Sequence, residues 1–180
     1  LVGEDGPTHH GVFDLAYLRV LPNIRLLAPR DPEELRVMLR WALEQDKPVA
    51  IRYARGGVMY GEPLGKGPKI ALGKSELIRP GADVAILALG NLVYAALAAT
   101  ERLEAEGIQA TVVNARFAKP VDEAMIRELA ARIGKLVTIE EAQVAGGFGS
   151  AVSETLDAAG LSGVPHLRIG LPDAFIEHGK

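Results

Sequence analysis

Short apolar runs that alternate with helical patterns constrain the fold of this chain more than any other feature. The apolar run at 24–28 is stopped by Pro29 and predicts a strand, and a second strand is predicted to begin at Val49. Between them, Asp31 followed by Pro32 is typical of a helix start, with an N-cap aspartate and proline at the first position. A strand, a helix and a strand in succession predict a βαβ unit with a parallel pair of strands.

The helix after this cap has an amphipathic pattern. Four apolar residues recur at helical spacing, namely Leu35, Met38, Leu39 and Ala42. Lys47 and Pro48 end the pattern, because proline does not continue a helix. The expected helix therefore has one apolar face.

A second alternating series fills the rest of the chain. Strands are predicted at 84–89, 110–114, 136–139 and 167–170. Helices are predicted between them, beginning near Asn91, Asp122 and Gly147, and the helix that begins at Asp122 is expected to turn Met125, Ile126, Leu129 and Ile133 inward. Both halves are therefore α/β, and the second half has the elements of a complete small domain.

Between the two series the composition shifts towards glycine and proline, and the periodicity is lost. We therefore predict two domains, at 1–60 and 73–180, joined by a linker at 61–72. The first residues, Leu1 to Gly3, resemble the end of a strand entering a loop, and no methionine precedes them. We expect the chain to be part of a longer protein.

Composition excludes several classes of function. The net charge of -3 and the pI of about 5.8 show no basic excess, which argues against nucleic acid as a partner. No apolar run approaches the roughly 20 residues that a membrane span needs. The absence of cysteine agrees with a cytoplasmic location and removes thiol chemistry. A cytoplasmic protein without membrane contact is expected.

The stretch "DGPTHHGVFDLAYLR" concentrates polar chemistry near the start of the chain. Asp5, His9 and His10 lie in a loop after a predicted strand, where parallel sheets place ligands. Imidazole donates hydrogen bonds and transfers protons near neutral pH. The alternative is a surface loop with exposed histidines, and the pattern alone leaves both interpretations open.

Two further stretches allow two interpretations each. In "RYARGG", Arg52 and Arg55 follow a predicted strand and suit a phosphate group, but two arginines paired with surface carboxylates fit the pattern as well. In "GGFGS", the glycines before a helix suit either an anion or close helix packing. The spacing differs from the dinucleotide-binding G-x-G-x-x-G, so packing is favoured. We find no metal–diphosphate motif.

These stretches together resemble a known family. The segments "DGPTHHGVFDLAYLRVLPN", "APRDPEELRVML", "PVAIRYARGG", "VVNARFAKPVDE", "VTIEEAQVAGGFGSAV" and "IGLPDAFIEHG" closely resemble 1-deoxy-D-xylulose-5-phosphate synthases, over essentially all 180 residues. The resemblance implies an α/β fold: a truncated pyrimidine-binding βαβ region with parallel strands, followed by a transketolase C-terminal domain with a mixed sheet.

The resemblance also implies a reaction. The family is a group of transferases that condense pyruvate with glyceraldehyde 3-phosphate, with loss of carbon dioxide, at the start of non-mevalonate isoprenoid biosynthesis. Its cofactors are thiamine diphosphate and magnesium, and the enzyme is expected to be a homodimer. The family's cofactor-activating glutamate and diphosphate domain lie before Leu1, in the rest of the same enzyme chain. This chain alone is therefore expected to be inactive and to bind neither cofactor.

Site residues follow from the matching motifs. By the resemblance, His9 is the catalytic residue and also binds substrate, Asp5 accepts hydrogen bonds from substrate hydroxyls, and Arg55 binds the substrate phosphate. Ala54 stands where the family has proline. His10 lies where the family varies and is assigned no catalytic role. No residue of this chain is assigned to the cofactor or to a metal.

Two alternatives stay open at this point. One is the β subunit of a 2-oxo acid dehydrogenase, which shares the two-domain layout but gives Arg55 no phosphate to bind. The other is a non-catalytic dimerisation module, whose second half only assembles subunits. The mass of the full gene product would separate them.

Overall fold

A computed structural model describes residues 1–55, 64–65, 67 and 69–179. Five residues of the linker predicted at 61–72, namely 61–63, 66 and 68, lie outside the described residues, and the domain boundaries stay a prediction. The helices are α1 Asp14–Arg19, α2 Pro32–Leu43, α3 Leu92–Ala105, α4 Glu123–Arg132 and α5 Phe148–Ala158. The strands are β1 Arg25–Leu27, β2 Val49–Ile51, β3 Glu76–Arg79, β4 Val84–Ala88, β5 Ala110–Asn114, β6 Phe117–Lys119, β7 Leu136–Gln143 and β8 His166–Leu171.

The described strands form two sheets. The larger sheet has the order β3-β5-β4-β7-β8, in which β3 is antiparallel to β5 and the other neighbours are parallel. The smaller sheet has the order β2-β1-β6. The predicted fold class, a parallel βαβ region followed by a mixed-sheet domain, is confirmed. We call residues 1–55 the first region and residues 69–179 the second region.

The βαβ unit forms as the sequence predicts. β1 and β2 are parallel, and the Asp31 carboxylate caps α2 by accepting a hydrogen bond of 2.8 Å from the Glu34 N–H. The predicted apolar face is wrong at one position, because Leu39 is 50% exposed. Trp41 instead packs edge-on against Phe117, with ring centroids 5.6 Å apart. α2 also ends before the predicted stop.

Strand β6 is the element that the sequence analysis missed and that most changes the fold. It lies late in the chain, yet it pairs antiparallel with β1, with Leu27 opposite Phe117. The first region therefore does not complete its own sheet, since one of its three strands comes from the second region. The three residues of β6 are too few to show a periodicity, so no pattern predicts this strand.

The two regions also share one hydrophobic core. Leu15, Leu26 and Ala28 of the first region pack in the same buried cluster as Leu87 and Phe148 of the second. Shared burial of this kind joins the regions more firmly than a flexible linker would.

A buried set of charges lies at the junction of the regions. Glu34 accepts hydrogen bonds from Arg116 Nε at 2.7 Å and from Asn114 Nδ2 at 2.9 Å, and Arg116 also donates to Glu76 at 2.7 Å. Arg30 pairs with Glu76 as well. The Arg30 and Arg116 side chains are almost fully buried, so these carboxylates have to balance charges that no longer contact water. We call these five residues the junction cluster.

Candidate functional site

The candidate site is the loop at 2–11, which precedes α1. Two successive turns shape it: the Asp5 N–H donates to Val2 O and the His9 N–H donates to Gly6 O, each at 3.0 Å. Gly6 joins the turns with φ of +69°, a conformation that favours glycine. The loop is thus held by its own backbone as well as by neighbours from other elements.

Asp5 and Arg55 meet across 50 residues of sequence. Arg55 Nη1 donates to Asp5 Oδ2 just beyond the end of β2. The Asp5 side chain is 36% exposed and the Arg55 side chain is 62% exposed, so solvent screens the pair and the pair contributes little to stability. A pair of this kind exchanges readily for a stronger partner, which leaves Arg55 available to an anion that enters from solvent.

His9 lies on the same loop, in the second turn. Its ring is exposed, and Nδ1 lies 2.9 Å from Thr8 Oγ1. Within the described part of the chain, no hydrogen bond joins His9 to Asp5 or Arg55. The structure therefore pairs Asp5 with Arg55 and places His9 on the same loop as Asp5.

His10 has a different environment from His9. The Val2 N–H donates to His10 Nδ1 at 2.8 Å, so Nδ1 is the unprotonated ring nitrogen and the proton lies on Nε2. Nε2 lies 3.5 Å from the carbonyl oxygen of Glu177. His10 braces the loop, a role that the sequence analysis missed. Its assignment as non-catalytic stays a prediction.

The two arginines of "RYARGG" are also unequal. Arg52 is half-buried and donates to Asp14 Oδ2 at 2.9 Å, to Gly11 O at 3.0 Å and to Glu141 O. It ties the end of the loop to α1 and β7, so its guanidinium is committed to the fold. Both arginines do pair with carboxylates, as the second interpretation expected, but only the Arg55 pair is exposed.

The glycine stretch before α5 is occupied by the chain itself. Glu140 accepts hydrogen bonds from the N–H groups of Phe148 at 2.6 Å and Gly149 at 2.8 Å. Burial raises the pKa of Glu140, and these hydrogen bonds offset only part of that effect. A Cβ on Gly147 would lie 2.2 Å from Glu140 Oε2. The geometry favours the packing interpretation over an anion site.

No metal site is evident in the described ranges. No group of three or more His, Cys, Asp or Glu side chains comes together there in a way that would hold a metal ion. The described residues therefore do not supply the set of oxygen ligands that a magnesium ion prefers. Separately, no described helix is long and apolar enough to cross a membrane.

Comparisons with known families match both regions. Residues 73–180 match the family described as "Transketolase, C-terminal domain", and residues 1–59 match "Transketolase, pyrimidine binding domain". The first match alone covers more than half of the chain.

Comparisons with individual proteins agree. The chain is 55% identical over 181 residues to a 1-deoxy-D-xylulose-5-phosphate synthase of Thermomicrobium roseum, and 51% identical over 180 residues to one of Aquifex aeolicus. Each alignment covers 100% of this chain, but only 29% and 28% of the respective relatives. The chain thus spans less than a third of the length of the curated relatives that it matches.

Solved structures show the same fold. A chain described as "Split gene transketolase, inactive beta4 tetramer" superposes with a TM-score of 0.86 at 38% identity, covering 93% of this chain and 55% of that one. A mutant transketolase from Pichia stipitis superposes with a TM-score of 0.71 at 24% identity, covering 99% of this chain and 25% of that one, which shows the fold alone.

Proposed function

The chain belongs to the transketolase family of thiamine diphosphate-dependent transferases, and on that premise we propose that it is part of a 1-deoxy-D-xylulose-5-phosphate synthase. The reaction proposed is the condensation of pyruvate with glyceraldehyde 3-phosphate, with loss of carbon dioxide, in non-mevalonate isoprenoid biosynthesis. Identities of 50–55% to such synthases over the whole chain support this choice within the family. Within that enzyme, the first region would bind the aldehyde substrate.

The observation that carries the proposal is the exposed pair of Asp5 and Arg55. The guanidinium of Arg55 is 62% exposed and would serve as the anion site, because a phosphate group accepts two parallel hydrogen bonds from an arginine. The phosphate of glyceraldehyde 3-phosphate would displace Asp5 from Arg55. The released carboxylate would then accept a hydrogen bond from a hydroxyl of the same substrate.

His9 supplies the third role. Its exposed ring lies four residues after Asp5, on the loop that the substrate would contact. We propose that it donates a hydrogen bond or a proton to the oxygen on which charge develops, as positioned histidines do in general acid–base catalysis. Arg52 and His10 would contribute indirectly, because they hold the two ends of the loop.

The other parts of the active site would come from outside this chain. We propose that thiamine diphosphate and magnesium are bound by the rest of the same enzyme, that the full enzyme is a cytoplasmic homodimer, and that this chain alone is inactive.

The test uses the full-length gene product and the 180-residue chain side by side. Each is incubated with pyruvate, glyceraldehyde 3-phosphate, magnesium and thiamine diphosphate, and 1-deoxyxylulose 5-phosphate and carbon dioxide are measured. We expect product from the full-length protein only. Product from a 2-oxo acid and a different acceptor, with none from glyceraldehyde 3-phosphate, would contradict the proposal, and product from the short chain would show that the cofactor site is misplaced.

A second candidate has one observation in its favour. The structure that superposes with a TM-score of 0.86 is described as an inactive tetramer of a split transketolase. By analogy, this chain would be a separate subunit that assembles with itself and needs another chain for activity. The mass of the natural gene product separates this candidate from the single-chain enzyme.

A further inference from the structure

The residues that follow β8 fold back over the site loop. Asp173, two residues after the end of β8, accepts a hydrogen bond of 2.7 Å at Oδ1 from the side chain of Gln143, which fixes the start of this segment against β7. Phe175 then packs edge-on against Phe13, with ring centroids 5.6 Å apart. We call residues 172–179 the tail segment. Although it belongs to the second region, these contacts direct it towards the loop of the first.

The end of the tail segment contacts the loop directly at two backbone positions. The Gly179 N–H donates to Gly3 O at 3.0 Å. The carbonyl oxygen of Glu177 lies 3.5 Å from Nε2 of His10, the ring that also accepts from the Val2 N–H. The tail segment therefore reaches the loop on both sides of Asp5.

The closest approach is between His178 and Gly6. A Cβ built on Gly6 would lie 2.2, 2.3 and 2.5 Å from Nε2, Cε1 and Cδ2 of His178, distances that real side chains do not adopt. The imidazole ring thus lies directly on the Cα of Gly6. The φ of +69° favours glycine at this position, and the absence of a side chain leaves the space that the ring occupies.

We propose that the tail segment is a strap that positions the substrate loop, and that His178 is a positioning residue whose flat ring holds Gly6. The proposal rests on the proposed function, since it names how Asp5 and His9 are kept in place. Gly6 is the residue after Asp5 and lies between the two turns, so a ring pressed on it fixes both. Small displacements of such groups reduce catalysis strongly, because reaction rates depend on near-attack geometry.

The test is made in the full-length protein with cofactors present. His178→Ala is expected to lower kcat/KM for glyceraldehyde 3-phosphate about tenfold to a hundredfold, and to increase hydrogen exchange of the peptide that contains residues 3–10. His178→Phe keeps a flat ring, so it is expected to retain most of the activity, the wild-type exchange and the wild-type pH profile. Asp157→Ala, an exposed substitution on α5, is the control and should match the wild type in both measurements.

A double-mutant cycle tests the contact itself. Gly6→Ala should displace the ring and also strain a backbone with φ of +69°, so it should be at least as impaired as His178→Ala, and the double variant should be little worse than Gly6→Ala alone. If the fold-losses in kcat/KM of the two single variants multiply fully in the double variant, the two residues act independently and the direct contact is contradicted. A His178→Ala variant with wild-type exchange and kinetics would overturn the proposal.

Two other outcomes are separated by the same data. If His178→Phe is as impaired as His178→Ala and its pH profile changes, His178 acts chemically and the strap is wrong. If the wild-type protein makes no product, the proposed function fails, but the exchange of residues 3–10 in the His178 variants still decides whether the tail segment holds the loop.

Discussion

The two regions of the molecule differ in what they bury and in what they expose. β4 and β5 of the second region are five residues long, and β5 is buried throughout. β1 and β2 of the first region are three residues long, and β2 is only half-buried. All the predicted substrate residues lie in the first region. The proposed chemistry thus falls to the region that contributes fewer buried apolar side chains to the core.

This difference predicts that activity and stability respond to different substitutions. Changes to the exposed loop should reduce catalysis and leave the fold intact. Changes to the junction cluster should reduce the free energy of unfolding, because the first region depends on the second for its third strand and for part of its core.

The largest expected effect is on turnover. His9→Ala in the full-length protein should lower kcat about 10²–10⁴-fold, because a proton donor acts mainly as charge develops in the transition state. The free energy of unfolding should stay within about 0.5 kcal/mol of the wild type, since the ring is exposed. Steady-state kinetics and urea denaturation measure the two quantities.

Glu4→Ala, on the same loop, is the control for His9. We prefer it to His10→Ala, because His10 braces the backbone and its loss would disturb the loop. If His9→Ala lowers the free energy of unfolding as well as kcat, then activity and stability are not separable at this residue.

The largest expected effect on stability comes from the junction cluster. Glu34→Ala removes a buried carboxylate from Arg116 and Asn114, and should lower the free energy of unfolding by about 3–5 kcal/mol. Its neighbour Glu33 makes an exposed pair with Arg36, so Glu33→Ala should cost less than about 1 kcal/mol. Urea denaturation of the two variants in parallel measures the free energy of unfolding. An equal decrease in the two variants would mean that the junction cluster does not join the regions.

A smaller effect is expected at the phosphate contact. Arg55→Ala should lower kcat/KM for glyceraldehyde 3-phosphate about ten- to more than a hundredfold, which corresponds to a loss of roughly 1.5–3 kcal/mol. The kcat/KM for pyruvate should stay close to that of the wild type. Varying the two substrates separately measures this. An equal loss for both substrates would make Arg55 structural, like Arg52.

The smallest effect separates two helix caps. Asp31 caps α2 and also accepts from the hydroxyl of Tyr94 in the second region at 2.8 Å, while Asp122 caps α4 within that region. Burial acts to raise the pKa of both carboxyls, but hydrogen bonds to the ionised form outweigh it, so each pKa lies below its ordinary 3.8. Replacing Asp122 by alanine should cost about 1–2 kcal/mol at neutral pH, and replacing Asp31 should cost more, because Asp31 also pairs with the buried Arg30 at 3.1 Å.

The pH dependence of these caps follows from the sign of the shift. A lowered pKa stabilises the folded state above pH 3.8, and that contribution is lost as the pH falls through the folded value. The free energy of unfolding of each alanine variant should therefore decrease less steeply with falling pH than that of the wild type. A steeper loss would show that burial, which acts to raise the pKa, dominates at that carboxyl.

Local patterns predicted the local parts of this structure. The caps at Asp31 and Asp122 and the parallel pair β1–β2 follow from residue type and spacing, and they are confirmed. Asn91 does occupy the N-cap position of α3, but its side chain makes no capping bond. Motif resemblance, rather than spacing, identified Asp5, His9 and Arg55, and their roles stay predictions.

The remaining features depend on contacts that are distant in sequence. Neither the pairing of Phe117 with Leu27 nor the approach of His178 to Gly6 has a local signal, because each is decided by how separate elements pack. The glycines at 3 and 6 were a possible clue, since a glycine marks either an unusual φ or a close neighbour. The sequence alone does not say which neighbour that is.

The pairing of β1 with β6 has a consequence for the order of events during synthesis. Leu27 leaves the ribosome roughly 90 residues before its partner Phe117, an interval of about 5–20 s at ordinary translation rates. Until then, one edge of β1 is open, and an open edge pairs readily with other strands. The loop with Asp5 and His9 waits longer still, for residues 172–179. A ribosome paused between these points would expose a nascent chain whose loop at 2–11 has emerged before the tail segment that contacts it.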